Sequence, residues 1–193
     1  MAYLCIMRSL PVLLLLFAQP FWEAKLPERW SDAEIDVVRH SSPWVQTVGP
    51  PPELLVWLAT AEPIEEAEAE ARLRTRHTEK EPDPDYAAYV AENRERSFVL
   101  AVAYPTLKDL GNADEDRRME QECQMVVGRK TYRIVGHFPP TPSDPVLRLV
   151  FPRVVKPEDK AVTFRLYLAG LNFPERELEF RVKDLLYHGK LAM

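Results

Sequence analysis

The second half of the chain alternates between apolar and polar residues with a period of two. In residues 162–168 (VTFRLYL) the even-numbered positions are all apolar, and residues 178–182 (LEFRV) repeat the pattern. This period is typical of antiparallel strands with one buried face. Apolar runs at 97–104 and 145–153 predict two more strands, and residues 125–138 predict a hairpin around Gly128 and Arg129.

The first half of the chain carries helix signals instead. Ser31 and Glu34 have the spacing of a capping box, with Trp30 before the cap and Ile35 at the fourth helical position as a hydrophobic staple. Pro43 disfavours helical geometry in the residue before it, so we expect this helix to end near residue 42. His40 then lies in the last turn, where a cation suits the helix dipole.

A second candidate helix is ambiguous. Within residues 64–77 (IEEAEAEARLRTRH), positions 66–74 alternate strictly between charged and apolar residues, as a strand would. Alanine, glutamate and arginine are helix formers, however, and Glu68–Arg72 and Glu70–Arg74 have the favourable i,i+4 order. We therefore predict a helix, with its charged face either solvated or used for docking. Residues 54–59 form a short apolar strand before it, and residues 85–95 and 112–125 predict two further helices.

These elements predict an α+β fold. About seven strands at regular spacing indicate a single domain with a sandwich-like antiparallel sheet, and three or four short helices lie in the first half. Eighteen prolines against six glycines indicate stiff connections. The tail at 181–193 (RVKDLLYHGKLAM) is either a final sheet strand, which its alternation favours, or a basic and aromatic segment for an anionic membrane surface.

The N-terminus has the pattern of a secretory signal peptide. Arg8 precedes an apolar run from Leu10 to Ala18, which is far shorter than the roughly 20 residues that span a bilayer. We predict a signal at residues 1–18, with Met7 as an alternative start, and a globular domain at 19–193. The protein is then periplasmic or secreted, and its contact with membranes is through the signal peptide.

Composition and charge limit the kinds of partner that we expect for this protein. Apolar residues make up 46% and charged residues 28% of the chain, which are the values of a globular protein. The net charge of −5 gives no basic footprint, so we expect no nucleic-acid partner. Cys5 belongs to the signal and Cys123 would remain alone, so no disulfide is expected. Cys123 is either a nucleophile or, as we favour, a small buried apolar residue.

Three short motifs resemble a group of small exported bacterial proteins for which no activity is known. The motifs are W-S-x-x-E at 30–34, S-P-W at 42–44 and a closing F-x-V-K-D-x-x-Y-x-G-K-L. The closing matches are Phe180, Val182, Lys183, Asp184, Tyr187, Gly189, Lys190 and Leu191. The resemblance implies export and a single domain, and it implies no mechanism.

The sequence contains no recognisable motif for binding a metal ion or a phosphate group. The four histidines, at 40, 77, 137 and 188, form no pair at zinc-ligand spacing. Asn112, Asp114 and Asp116 begin like a calcium loop, but Arg117 stands where glycine is needed and Cys123 where glutamate is needed. Glycine-rich phosphate loops and a G-x-S-x-G elbow are missing from the sequence. We therefore predict no cofactor, no metal and no recognisable catalytic residue.

Three hypotheses for function remain open. The first is a non-enzymatic exported protein that acts through protein–protein contact or envelope structure. The second is a hydrolase with a dispersed site, which requires a pocket that gathers two acids, or His137 with an acid. The third is a small-ligand carrier, which requires a cavity between sheet and helices. The stretch HSSPW at 40–44 is interpreted as a corner pinned by Trp44, and a catalytic Ser–His pair there is disfavoured.

Overall fold

The computed structural model describes residues 19–75, 83–105 and 112–193. The predicted signal peptide and His77 lie outside these residues. The helices of the described chain are α1 (Phe21–Ala24), α2 (Asp32–Ser41), α3 (Glu62–Arg74), α4 (Pro84–Asn93) and α5 (Ala113–Glu122). The strands are β1 (Val45–Val48), β2 (Leu54–Leu58), β3 (Ser97–Ala103), β4 (Gln124–Val127), β5 (Lys130–Arg133), β6 (Gly136–Phe138), β7 (Val146–Pro152), β8 (Ala161–Tyr167), β9 (Glu175–Arg181), β10 (Leu186–Tyr187) and β11 (Lys190–Leu191).

The strands form two antiparallel sheets and a small terminal pair. One sheet has five strands in the order β1-β2-β3-β7-β6, the other has four in the order β5-β4-β8-β9, and β10 pairs with β11. The predicted α+β fold with a sandwich-like arrangement is confirmed. The described strands outnumber the predicted seven because β1, β6, β10 and β11 are two to four residues long. Strands this short show too few alternations to stand out in the sequence.

A cluster of phenylalanine rings joins the two sheets. Phe164 of β8 lies 6.1 Å from Phe98 of β3 and 5.1 Å from Phe151 of β7, measured between ring centroids. Phe180 of β9 packs against Phe164 at 6.0 Å. Apolar residues at alternate positions of β2, β3 and β7 face the same core, and α2 and α3 add Ile35, Val38, Ile64, Ala67 and Ala71. Burial of these side chains is the main source of stability.

Helix α2 follows the sequence prediction closely. The Ser31 hydroxyl accepts a bond from the Glu34 amide at 3.2 Å, and the Glu34 carboxylate accepts one from the Ser31 amide at 2.8 Å. Trp30 and Ile35, the predicted staple, are both buried in the same core. The helix ends at Ser41, as expected from Pro43. Residues 62–74 are helical as well, because burial of Ile64, Ala67 and Ala71 and the i,i+4 ion pairs outweigh the strand-like alternation.

Trp44 is fully buried and joins the two ends of the described chain. Its Nε1 donates to the carbonyl oxygen of Ala192 at 3.0 Å. Its ring makes edge contacts with Trp22 at 5.9 Å and Tyr187 at 6.1 Å between centroids. The predicted corner is confirmed, but Trp44 holds the C-terminal segment as well as the adjoining sheet. The strand β1, which starts directly after Trp44, was not predicted.

The tail does not continue as a sheet strand, so that prediction is wrong beyond Arg181. Residues Val182–Leu185 form a 3-10 turn, and β10 and β11 then fold back through His188 and Gly189, which both have positive φ. Val182 and Leu185 are the buried residues of the turn. Their separation of three is the 3-10 period, not the strand period of two. Tyr187, Ala192 and Met193 are buried in the main core.

We expect Trp44→Ala to lower the free energy of unfolding by about 3 kcal/mol or more, because it leaves a large cavity and removes the bond to Ala192. Chemical denaturation measures this loss. Trp57→Ala is the matched control, since Trp57 is only partly buried and should cost clearly less. Equal losses for the two variants, or an unchanged melting temperature for Trp44→Ala, would contradict the structural role of Trp44.

Candidate binding groove

A groove of about 620 Å³ lies on the face of the five-stranded sheet that points away from the second sheet. Helices α3 and α4 form its walls, and β2 and β7 contribute its floor. Volumes of 300 to 1,000 Å³ are typical of sites for small molecules. The described residues lining it are Arg39, His40, Leu55, Trp57, Ala59, Ile64, Glu65, Glu68, Arg72, Tyr86, Ala87, Val90, Ala91, Arg94, Asp144, Val146 and Arg148.

The register of the sheet places the floor residues in one row. Trp57 of β2 pairs with Ala101 of β3, and Ala101 pairs with Arg148 of β7. Successive residues of a strand face opposite sides, so these three lie on the outer face while their neighbours enter the core. Leu55 lies on the same face two residues before Trp57, and both are partly exposed. The floor therefore combines an apolar surface with one guanidinium group.

Arg148 is held in place by two neighbours. Its Nη1 donates to Asp144 at 2.8 Å, and its guanidinium carbon lies 4.5 Å from the centre of the Tyr86 ring. Tyr86 also packs edge-on against Phe138 at 5.4 Å. Burial raises the pKa of Tyr86 to about 12, so its phenol is neutral at physiological pH. The ring therefore offers an apolar and weakly polar surface rather than a negative charge.

An ion pair connects the two helical walls. Arg94, directly after α4, donates to Glu65 of α3 through both terminal nitrogens, at 2.8 and 2.6 Å. The hydrogen bonds to Glu65 raise the pKa of Arg94 above its usual value. Two parallel bonds fix the relative orientation of the groups more tightly than a single bond. This pair therefore sets the spacing of α3 and α4 at its position along the groove.

A second carboxylate on the same wall is shared by two arginines. Glu68 of α3 accepts two bonds from Arg39, from Nε at 2.9 Å and from Nη2 at 3.4 Å. Nη1 of Arg72 lies 4.0 Å from the oxygen that accepts the second bond. Arg39 belongs to α2, so this group also joins α2 to α3. Among the described lining residues, four arginines therefore face three carboxylates.

Each of the three described acids that line the groove is paired with an arginine. Glu65, Glu68 and Asp144 line the same groove. The groove therefore gathers at least two acids, as the hydrolase hypothesis requires. Each carboxylate, however, has a guanidinium partner. The oxygens of these carboxylates therefore already accept hydrogen bonds from arginine side chains.

The three described histidines lie in three separate parts of the fold. His40 lines the groove at the end of α2, where its Nδ1 lies 2.9 Å from Asp36. Nδ1 of His137 in β6 lies 3.7 Å from Oε1 of Glu120, and His137 is not among the residues that line the groove. His188 occupies the turn between β10 and β11, where its amide donates to Glu23. Within residues 19–75, 83–105 and 112–193, no three His, Cys, Asp or Glu side chains cluster as metal ligands.

Cys123 is buried at the end of α5. The amide of Tyr167 donates to its sulfur at 3.3 Å, and burial raises the pKa of the thiol to about 12. A nucleophilic cysteine requires a lowered pKa and exposure, so the favoured interpretation as a buried apolar residue agrees with the geometry. Tyr167 itself, predicted on the polar side of its strand, is buried because Arg118 of α5 lies 4.0 Å above its ring.

The acidic run before Cys123 begins a helix. The Asn112 side chain accepts a bond from the Asp114 amide at 3.0 Å and so caps α5. Asp114 pairs with Arg117 at 2.6 Å, within the same turn. Acidic residues in a first helical turn interact favourably with the helix dipole. These contacts explain the sequence that resembled a calcium loop.

The groove itself was not predicted as a site. Its residues come from α2, α3, β2, α4 and β7, which are far apart in the sequence. One signal was available on α3, where Glu65, Glu68 and Arg72 have the i, i+3, i+7 spacing of a single helix face. A second was Arg148, a lone charge in the apolar run of β7. This wall is the helix whose charged face the sequence analysis left either solvated or used for docking.

Comparison with known proteins gives no significant similarity: no family model, no curated protein and no solved structure matches the chain. No helix in the described part of the chain has the length and apolar character needed to cross a bilayer.

Proposed function

We propose that this protein is a non-enzymatic exported protein that binds a small amphipathic molecule in the groove between α3 and α4. The single observation that carries the proposal is the cavity of about 620 Å³ with an apolar floor at Leu55 and Trp57 and charged walls. Binding sites for small molecules combine a mostly apolar lining with a few placed polar groups. The groove favours the ligand-binding hypothesis over contact with a protein partner, because it is concave.

The paired state of the acids supports a binding role rather than a hydrolytic one. Glu65 and Asp144 each hold an arginine with bonds of 2.6 to 2.8 Å. These bonds order the arginine side chains before a ligand arrives. A preordered site loses less conformational entropy on binding. The same groups would have to abandon their partners to act as acid or base.

The proposal of export rests on the apolar run at 10–18 and on the predicted cleavage after Ala18. Phe21 and Trp22 follow this position closely and pack against Trp30 and Trp44, with centroid distances of 5.9 Å in both contacts. A chain cleaved at Ala18 would therefore retain these aromatic contacts. The cleavage would leave Cys123 as the one cysteine of the mature protein.

We expect Ala87→Trp to abolish or greatly weaken binding of anilinonaphthalene sulfonate, a fluorescent aromatic anion that serves as a probe for the groove. Ala87 is exposed and lines the groove, so the new indole would occupy the ligand volume. Ala88→Trp is the matched control, because Ala88 is also exposed on α4 and is not among the residues that line the groove. Fluorescence titration measures both. Equal binding by the two variants, or none by the unmodified protein, would contradict the proposal.

We expect the mature protein recovered from the cell envelope or the medium to begin near Gln19. Mass spectrometry of the intact chain gives this terminus directly. Recovery of an uncleaved chain from the cytoplasm would contradict the export proposal. It would not affect the proposal that the groove binds a ligand, which the fluorescence titration tests.

A further inference from the structure

The ion pair at the wall of the groove occupies the edge of the Arg94 guanidinium group. Arg94 donates to both oxygens of Glu65 through its two terminal nitrogens, at 2.8 and 2.6 Å. The N–H groups of a guanidinium lie in its plane, so these bonds do not occupy the faces of the plane. Arg94 also keeps 48% of its side-chain surface exposed. A ligand that contacts Arg94 through the guanidinium face therefore leaves the ion pair intact.

The groove already contains one contact between a guanidinium face and an aromatic ring. The guanidinium carbon of Arg148 lies 4.5 Å from the centre of the Tyr86 ring, while Nη1 of the same side chain donates to Asp144 at 2.8 Å. Arginine thus bonds a carboxylate and stacks on a ring at the same time, because the two interactions use different parts of the group. The same combination is open to Arg94.

Trp57 provides an aromatic surface on the floor of the groove. Its side chain is partly buried and lines the cavity. Trp30 and Trp44 each donate their indole N–H to a main-chain carbonyl oxygen. In the part of the chain that the structure describes, Nε1 of Trp57 has no acceptor and is not among the buried nitrogens without a partner, so it reaches solvent. Trp57 can therefore both stack on a ligand and donate to it.

Helix α4 leaves space beside this floor. Ala87, Ala91 and Arg94 have the i, i+4, i+7 spacing of one helix face, and all three line the groove. The two alanines carry only a methyl group where a larger side chain would fill the cavity. One face of α4 therefore combines open volume with a guanidinium group, next to the indole on the floor.

This geometry points to a ligand with a planar aromatic ring, which stacks on Trp57 and contacts the guanidinium face of Arg94. The inference rests on the proposed function and specifies the chemical class of the ligand. Indole and guanidinium groups both interact favourably with the face of an aromatic ring, and a saturated ring has no such face. A hydrogen-bond acceptor on the ligand would bind the free indole N–H of Trp57.

Two alcohols with the same fused-ring skeleton test this inference. 2-Naphthol is planar and aromatic, whereas decahydro-2-naphthol is its saturated analogue, and both are neutral at pH 7. Each is titrated into the mature protein by isothermal calorimetry. We expect 2-naphthol to bind about fivefold or more tightly than the saturated alcohol, because stacking on an indole and a guanidinium is the added interaction.

Two substitutions of Trp57 separate stacking from hydrogen bonding. Trp57→Phe and Trp57→Leu both remove the indole N–H, but only phenylalanine keeps an aromatic face. We expect Trp57→Phe to retain the preference for 2-naphthol over the saturated alcohol, and Trp57→Leu to abolish it. Both variants keep an apolar side chain at a partly buried position, so a difference between them reports on the ring.

A substitution of Arg94 tests the second contact. Arg94→Lys keeps the positive charge and a donor for Glu65 but loses the flat group. We expect it to weaken 2-naphthol binding about threefold and to leave binding of the saturated alcohol unchanged. Arg96→Lys is the matched control and should alter neither, because Arg96 is also exposed and is not among the residues that line the groove.

The outcomes separate the two proposals. Equal affinity for the two alcohols would overturn the aromatic class, and so would the same preference in Trp57→Leu as in Trp57→Phe. Equal weakening of both alcohols by Arg94→Lys would show that Arg94 only holds the helices together, which contradicts its contact with the ring. Failure of 2-naphthol to bind would overturn the inference, and the groove proposal would then depend on the titration with anilinonaphthalene sulfonate and on Ala87→Trp.

Discussion

Burial of the five-stranded sheet on both faces is the constraint on which the rest of the structure depends. Six of the seven residues of β3 are buried, so neither face of this central strand can be left to solvent. One face packs through Phe98 on Phe164 of the second sheet. On the other face, Val99 and Val150 pack with Tyr86 of α4. The fold needs both coverings, because an antiparallel sheet with two apolar faces requires two layers.

The groove follows from how the helices divide this task. Helix α4 covers β3 and β7, whereas α3 directs Ile64, Ala67 and Ala71 into the main core beside α2. The outer face of β2 lies between the two helices, and Leu55 and Trp57 remain only partly buried there. An exposed patch of this kind in an otherwise covered sheet is a common mark of a binding site. The cavity is thus a consequence of the packing.

Ion pairs shape this cavity more than they stabilise the protein. Glu65 and Arg94 keep 30% and 48% of their side-chain surface exposed, and pairs at such positions contribute about 1 kcal/mol or less. Their value lies in orientation, since the bidentate bond and the Arg148–Tyr86 contact hold guanidinium groups at set places. Most of the stability comes from the phenylalanine cluster and the Trp44 junction. Neither the four phenylalanines of that cluster nor Trp44 lines the groove.

The elements that depend on local sequence pattern were predicted correctly from the sequence. The capping box of Ser31, the stop at Pro43 and the alternation at 162–168 involve neighbours along the chain, so their physics is visible in the sequence. The strand β1 was missed because four residues carry little pattern, and its place depends on pairing Val45 with Trp57. The groove was missed for a stronger reason: Trp57, Ala101 and Arg148 meet only through sheet register.

Nuclear magnetic resonance of the four indole N–H signals, recorded during a titration with anilinonaphthalene sulfonate, tests directly whether the groove binds a ligand. The tryptophans are Trp22, Trp30, Trp44 and Trp57, and among them only Trp57 lines the groove. Assignment by Trp57→Phe identifies its signal. We expect the Trp57 signal to shift in a saturable way while those of Trp30 and Trp44 stay in place. Saturable shifts of Trp22 or Trp44 without a shift of Trp57 would contradict this expectation.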